Sequence, residues 1–323
     1  KLHATPNNTI MRSVFVYNNA IYTGAHMDFG YWLRQHDGQL KYTSLVKELN
    51  FNMIEDEQVW SIYSHKQFVI FQTLDRLIIY DQIKRDLSTL HPVSGILRVL
   101  ADDNDIYYQD NNLSVYKIVN EKGVPFLSAS ELNNNHVIGV VTSSKGTLII
   151  TRDSGLFFKT NKLYPIKPSL SRELSRDVVF CFTKTKKGDL VLGSIKNGAY
   201  VLSSSGDLIQ HIGINEGLLN ATVLTVFSDA KEGIWLGLDN GLAYTSLSSP
   251  KQFYSLAQKP IGTVYVTETF NDILYVGTNQ GLYYKRIDSS QPLTPISGLG
   301  GQVWSLQVID NTLLCGHDNG AFR

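Results

Sequence analysis

The sequence lacks several features that would place it in a functional class at once. Lys and Arg total 29 and so do Asp and Glu, so no positive surplus favours a nucleic-acid or anionic-membrane partner. No apolar run reaches the roughly 18 residues of a membrane helix, and the first residues, KLHATPNN, lack the apolar centre of a signal peptide. We therefore expect any targeting or membrane segment to lie outside these residues.

Cysteine is also scarce. Cys181 and Cys315 lie far apart in sequence, each inside an apolar run. We interpret them as buried small hydrophobic residues, with a disulfide as the alternative. They do not assign a redox compartment.

Signatures of catalytic and cofactor chemistry are missing as well. No G-x-S-x-G, H-E-x-x-H, P-loop or dinucleotide fingerprint occurs, so we predict no cofactor and no catalytic residue. The acidic stretch DDNDIYYQDNN lacks the turn glycine and the bidentate glutamate of an EF-hand loop. We interpret its aspartates as a solvated turn and predict no metal site.

What the sequence does contain is one pattern that recurs along its length. A short apolar strand, a polar turn and Gly-Leu followed by an aromatic residue repeat, most clearly in GIWLGLDNGLAY from Gly233 to Tyr244. The turn glycines of five copies lie at positions 155, 198, 241, 281 and 320, which are 43, 43, 40 and 39 residues apart. A four-stranded propeller blade has about this length, whereas TPR and ankyrin units are shorter and helical.

Three more degenerate copies precede these, and the total of eight accounts for the whole chain. We predict an all-β fold, a β-propeller of seven to eight four-stranded blades, forming a single domain over residues 1–323. Short helical turns are expected at residues 44–53 and 169–177. The predicted repeats lie near residues 9–46, 56–92, 95–130, 136–174, 177–218, 221–260, 262–298 and 301–323.

Each unit begins with an apolar run, such as SVFVY, HVIGVV or TVLTVF, which predicts an innermost strand that is apolar on both faces. Closure of the ring is open at this point. LHAT at residues 2–5 has the position of an outermost strand, and the last repeat stops after its third strand at Phe322. Either the two termini complete one blade, or the chain is a fragment of a longer protein with further blades.

The best repeat resembles the two-component regulator propeller repeat. Asp229, Trp235, Gly237, Gly241 and Leu242 keep the spacing of its D-x-x-G-x-x-W-x-G-T-x-x-G-L consensus, although Gly233 is one place late and Leu238 replaces the usual threonine. DFGYWLR, EDEQVWSI and GLLNATVLTVF resemble a Bacteroidetes subgroup of such receptors.

The resemblance implies a periplasmic sensor region of a hybrid two-component or triple-tyrosine-motif regulator in the inner membrane. It also implies a homodimer in the full receptor, membrane attachment only through segments beyond these residues, and an oligosaccharide ligand. The recurring glycines and leucines, and Trp235, are interpreted as fold residues because their spacing follows the repeat.

Ligand-binding candidates are the residues at the start of the innermost strands, because every blade brings such a loop to one face. Polar and aromatic side chains at these positions suit sugar hydroxyls and ring faces. The alternative is that Trp60 and Trp304 only fill the channel. The candidates are Arg12, Gln58, Trp60, Arg98, His136, Asp177, Tyr265, Gln302 and Trp304, with Thr222 and Thr263 beside them.

Three functions follow from this interpretation. A ligand-sensing propeller of a membrane-anchored signalling receptor is favoured. A polysaccharide lyase or glycosidase is the second hypothesis, with His136 or Asp177 as the acid or base. A scaffold for protein contacts, including self-association, is the third.

Overall fold

The computed structural model describes residues 9–247, 261–287 and 293–323. Its strands form eight antiparallel sheets, and each sheet consists of strands that follow one another in sequence. The all-β prediction is confirmed, and each sheet falls within one predicted repeat range. Short meandering sheets of this kind are the building unit of a propeller.

The first four sheets have four strands each, paired in sequence order. Their strands are β1 (Met11–Tyr17), β2 (Ala20–Ala25), β3 (Phe29–Arg34), β4 (Leu40–Ser44), β5 (Ser61–His65), β6 (Phe68–Gln72), β7 (Leu77–Asp81), β8 (Asp86–Leu90), β9 (Ile96–Ala101), β10 (Ile106–Asp110), β11 (Val115–Val119), β12 (Lys122–Leu127), β13 (Val137–Ser143), β14 (Gly146–Thr151), β15 (Leu156–Lys159) and β16 (Leu163–Ile166).

The fifth and seventh sheets also have four strands, whereas the sixth and eighth have three within the described ranges. Their strands are β17 (Val179–Lys184), β18 (Leu190–Ser194), β19 (Ala199–Leu202), β20 (Leu208–Ile212), β21 (Val223–Ser228), β22 (Gly233–Leu238), β23 (Leu242–Ser246), β24 (Val264–Phe270), β25 (Ile273–Thr278), β26 (Leu282–Arg286), β27 (Thr294–Pro295), β28 (Val303–Ile309), β29 (Thr312–His317) and β30 (Gly320–Phe322).

The turn between the second and third strands depends on glycine, as predicted. Gly198 joins β18 to β19 with φ of 71°. A Cβ atom at this position would lie 2.1 Å from the backbone oxygen of Ile212. Only glycine combines positive φ with so close an approach of the backbone.

The hydrophobic core is a series of layers between neighbouring sheets. Continuous layers link the first sheet to the second and so on to the sixth, for example around Phe71, Tyr107 and Leu192. A smaller layer around Leu282 and Val303 links the seventh sheet to the eighth. Such layers form because successive side chains of a strand point to opposite faces, so that an inner sheet needs apolar residues on both.

Two short helices lie between sheets, where the sequence predicts them. α1 (Leu45–Glu48) is capped by the Ser44 hydroxyl, which accepts a 3.2 Å bond from the backbone nitrogen of Lys47. α2 (Pro168–Asp177) begins with proline in its first turn, and a 3₁₀ turn covers Ile214–Glu216. None of the helices among the described residues is long and apolar enough to cross a membrane.

The innermost strand is the first strand of each sheet, and the prediction that it is buried on both faces is wrong for part of the molecule. β13 is buried at its first five positions, but β1, β21, β24 and β28 have exposed residues along one face. Val16 and Phe227 are 67% and 61% exposed. In β1 the reason is one-sided packing, because Phe15 faces the second sheet while Val16 faces away from it. The LHAT segment, predicted to close the ring, lies outside the described residues.

Candidate ligand-binding cavity

A cavity of about 870 Å³ lies where the innermost strands of the second to fifth sheets meet. Most of its wall comes from residues of β5, β9, β13 and β17, and Tyr17 of β1, Gln72 of β6 and Leu224 of β21 complete it. The last residues of three of these strands lie together. The Lys184 ammonium, at the end of β17, lies 2.5 Å from Asp103, just after β9, and the backbone nitrogen of Thr142, near the end of β13, donates to Asp102 at 2.6 Å. The cavity therefore has a strand-start end and a strand-finish end.

Three predicted site residues meet at the strand-start end. The Arg12 Nε donates to Gln58 Oε1 at 2.8 Å, and the Arg12 guanidinium carbon lies 4.8 Å from the centroid of the Trp60 ring. Trp60 lines the cavity and is 41% exposed. A cation over an indole face stabilises the orientation of the ring. The Arg12 guanidinium therefore holds the Trp60 ring in place at the wall of the cavity. Whether this group of residues binds a ligand stays a prediction.

Arg98 is the predicted residue placed most directly in the cavity. It lies in β9, partly buried, and its side chain lines the wall. Burial lowers the pKa of its guanidinium, and the neighbouring charge of Arg152 lowers it further. The other titratable groups that act on it are Tyr63 and Cys181, both of which also line the cavity.

His136 lies directly before β13, beside the cavity rather than among the residues that line it. Burial lowers the pKa of its imidazole, with a further contribution from Arg152; Asp153 acts in the opposite direction. The backbone oxygen of His136 accepts a 2.9 Å bond from the Arg152 nitrogen. The neutral form is therefore favoured at neutral pH.

Asp177 is placed in a structural network. Its carboxylate is buried at the end of α2 and accepts hydrogen bonds from Arg176 at 2.8 Å, Asn197 at 2.9 Å and Tyr200 at 2.5 Å. Burial alone would raise the pKa of Asp177, but these three donors outweigh it and lower the pKa to about 2. The side chain joins α2 to β19 and does not line the cavity.

The remaining candidates lie on the seventh and eighth sheets, away from the cavity wall. The rings of Tyr265 and Trp304 stack with centroids 4.8 Å apart and an interplanar angle of 3°. The backbone oxygen of Gln302 accepts a 2.9 Å bond from Asp318. The sequence candidates therefore divide into a group around the cavity and an aromatic pair outside it.

The secondary candidates have local roles. The Thr222 hydroxyl donates to the backbone oxygen of Ile195 at 2.8 Å, and the Thr263 nitrogen donates to Asn279 Oδ1 at 2.8 Å. Both bonds join the loop before an innermost strand to the turn of a sheet.

The strand-finish end of the cavity was missed by the sequence reasoning. Asp103 pairs with Lys184, and Asp102 accepts a 2.6 Å bond from the backbone nitrogen of Thr142. The acidic stretch is thus an exposed turn, as predicted, and its side chains also tie it to the fourth and fifth sheets. No local signal indicates this, because Lys184 is 81 residues away from Asp103.

Metal and thiol chemistry are not prominent in the described parts of the chain. They contain no group of three His, Cys, Asp or Glu residues placed to hold a metal ion. Cys181 and Cys315 are both free, which rejects the disulfide alternative. Burial raises the pKa of the Cys181 thiol to about 12, so it is protonated and unreactive at neutral pH.

Comparison with solved structures finds folds of the same kind. The extracellular domain of BT4673 from B. thetaiotaomicron, described as a candidate hybrid two component system, superposes with a TM-score of 0.54 at 18% identity. The match covers 99% of this chain and 46% of that domain, so the chain spans less than half of its length. A second crystal structure of the same domain calls it a one component system and gives the same values.

Sqt1 from Saccharomyces cerevisiae has a TM-score of 0.52 at 14% identity, over 97% of this chain and 94% of that one. No protein-family model and no curated protein matches the sequence. At sequence identities of 18% and 14%, the similarity to these structures is a similarity of fold.

Proposed function

We propose that this chain is the ligand-sensing part of a membrane-anchored bacterial signalling receptor, located in the periplasm. The 870 Å³ cavity, lined by residues of six neighbouring sheets, carries this proposal, because loops and innermost strands converge there on a rigid scaffold. The fold shared with an extracellular domain of a signalling protein supports the location.

The repeat motif around Trp235 carries the resemblance to this family of receptors, and the structure shows what its residues do. Asp229 Oδ1 accepts bonds from the Gly233 and Lys231 nitrogens at 2.8 Å, and Oδ2 accepts one from the Trp235 indole at 3.1 Å. The indole bond is the first cause of the lowered pKa of Asp229. The motif residues therefore hold the turn that begins β22, which is a fold role.

The eight sheets, in this proposal, form one propeller, either as eight blades or as seven blades plus an extra sheet. The exposed face of β1 and the exposed residues of β28 are the surfaces on which the ring closes or further blades pack. The full receptor, in this proposal, is a homodimer, and its output domain belongs to segments beyond this chain.

The ligand in this proposal is an oligosaccharide fragment. Trp60 and Tyr63 provide aromatic surface in the cavity wall, and Arg98 provides hydrogen-bond donors there. Sugars are bound by such combinations of ring faces and convergent hydrogen-bond donors.

A thermal-shift screen with oligosaccharides tests the proposal. A ligand that binds only the folded protein raises the melting temperature by mass action. We expect Trp60→Ala to abolish the shift and Trp304→Ala, on the distant aromatic pair, to retain it. Loss of the shift in Trp304→Ala alone would place the site on the seventh and eighth sheets instead.

If the protein cleaves a glycan and releases a shortened product, a function limited to sensing would be contradicted. That result would favour the lyase or glycosidase hypothesis, and His136→Ala and Asp177→Ala would then test its proposed acid and base. A monomer that binds no glycan but binds a protein partner would favour the scaffold hypothesis.

A further inference from the structure

The charges at the two ends of the cavity differ in how they are compensated. At the strand-finish end Lys184 is paired with Asp103, and nearby Lys117 lies 2.8 Å from Asp105. At the strand-start end no carboxylate of the described residues forms an ion pair with Arg98, and none is among the groups that act on its guanidinium. A cationic side chain thus lies in a concave site without its own counter-charge.

A second arginine reinforces this charge. Arg152 lies close enough to Arg98 to affect it electrostatically. Its Nε is buried and makes no hydrogen bond to any residue that the structure describes. Among the described residues, the acid that pairs with it is Asp153, 3.8 Å away and about half exposed. Of these two guanidinium groups, that of Arg152 has a carboxylate beside it, at 3.8 Å and half exposed, and that of Arg98 has none among the described residues.

The cost of such an arrangement is the reason to look for a ligand. Buried charges in proteins are ordinarily paired, since desolvation penalises a charged group that has no partner. Arg76 illustrates the ordinary case in this chain: its guanidinium donates to both oxygens of Glu57, at 2.8 and 2.6 Å, and to the backbone oxygen of Asn52. None of the described residues gives Arg98 a comparable partner.

We propose that Arg98 binds an oxyanion of the ligand, so that the cavity selects an acidic oligosaccharide over a neutral one. The planar guanidinium donates two parallel hydrogen bonds to a carboxylate or sulfate group. Trp60 and Tyr63 line the same side of the cavity and provide surface for the attached sugar ring. This inference rests on the proposed sensing function and names its ligand class.

The first test needs no ligand. Arg98→Met keeps the length and apolar stem of the side chain and removes the uncompensated charge. We expect the melting temperature of the ligand-free protein to rise by roughly 2 °C. The matched control, Arg76→Met, leaves Glu57 buried without its partner and should lower the melting temperature. A decrease in Arg98→Met similar to that control would show that Arg98 is structural and overturn the inference.

The second test measures selectivity by calorimetry with three oligosaccharides of equal length: a galactose oligomer, the corresponding galacturonate oligomer and a sulfated galactose oligomer. We expect an acidic oligomer to bind more tightly than the neutral one and to lose about 10- to 100-fold in affinity in Arg98→Met. Preference for the galacturonate assigns a carboxylate, and preference for the sulfated oligomer assigns a sulfate.

The outcomes separate this inference from the proposed function. Equal binding of the neutral and acidic oligomers would overturn the oxyanion site and leave the sensing function standing. Binding of none of the three would count against both. Tight acidic binding that is unchanged in Arg98→Met would place the anion elsewhere and overturn the inference.

Discussion

The first six sheets and the last two differ in how they are packed. In the first region every sheet shares a buried layer with its neighbour, and the cavity lies among the innermost strands. In the second, the layer between sheets has four buried side chains among the residues that the structure describes, and Trp304 is 55% exposed. The same repeat pattern thus produces two different levels of burial. Burial depends on having a neighbouring sheet on each side, which a single repeat does not determine.

The largest effect that tests this comparison is expected from two equivalent core truncations, one in each region. Leu192→Ala removes a fully buried side chain from the layer between the fourth and fifth sheets. We expect it to cost about 2–5 kcal/mol of unfolding free energy. Leu282→Ala, in the layer between the last two sheets, should cost at least about 1 kcal/mol less, because fewer buried neighbours surround it.

Urea denaturation followed by tryptophan fluorescence measures both truncations. Equal losses in the two variants would show that the two regions are packed equally well and would remove the distinction.

A smaller effect is expected in how the stability of the first region changes as the pH is lowered. The pKa of Asp177 is lowered to about 2 in the folded protein, so its contribution is fully present above the ordinary aspartate value and is lost as the pH falls through about 2. Asp177→Asn should therefore be less stable than the wild type at neutral pH, with the difference shrinking as the pH falls below about 4.

Melting temperatures of both proteins across this acid range provide the measurement. A difference that is independent of pH would mean that Asp177 acts only through its shape and hydrogen-bonding capacity, and not through its charge.

The smallest expected effect is in the second region. Trp304→Ala removes one partner of the stacked pair with Tyr265, and such pairs contribute about 0.5–1.5 kcal/mol beyond area burial. Because Trp304 is more than half exposed, we expect a loss near the lower value. A loss as large as that of Leu192→Ala would show that the pair belongs to a buried interface.

Much of the fold follows from local sequence signals. Turn glycines such as Gly198 need positive φ, and the repeat spacing around them gives the strand order of each sheet. The candidate site is predicted less well than the fold, because it combines residues that are distant in sequence. Arg12, Gln58 and Trp60 were expected near one another and are in contact.

The failures have physical causes. Asp177 looked available from its position before β17, but its hydrogen bonds to Asn197 and Tyr200 come from a hairpin that no local pattern relates to it. The exposure of β1 and β24 was missed because an apolar run has the same sequence whether one or two sheets cover it.

The most direct test of the account is hydrogen–deuterium exchange of the whole chain with and without the tightest-binding acidic oligosaccharide. We expect protection in β5, β9 and β13, whose side chains form the cavity wall, and unchanged exchange in β24 and β28. Protection confined to β24 and β28, around Tyr265 and Trp304, would contradict the assignment of the ligand to the central cavity.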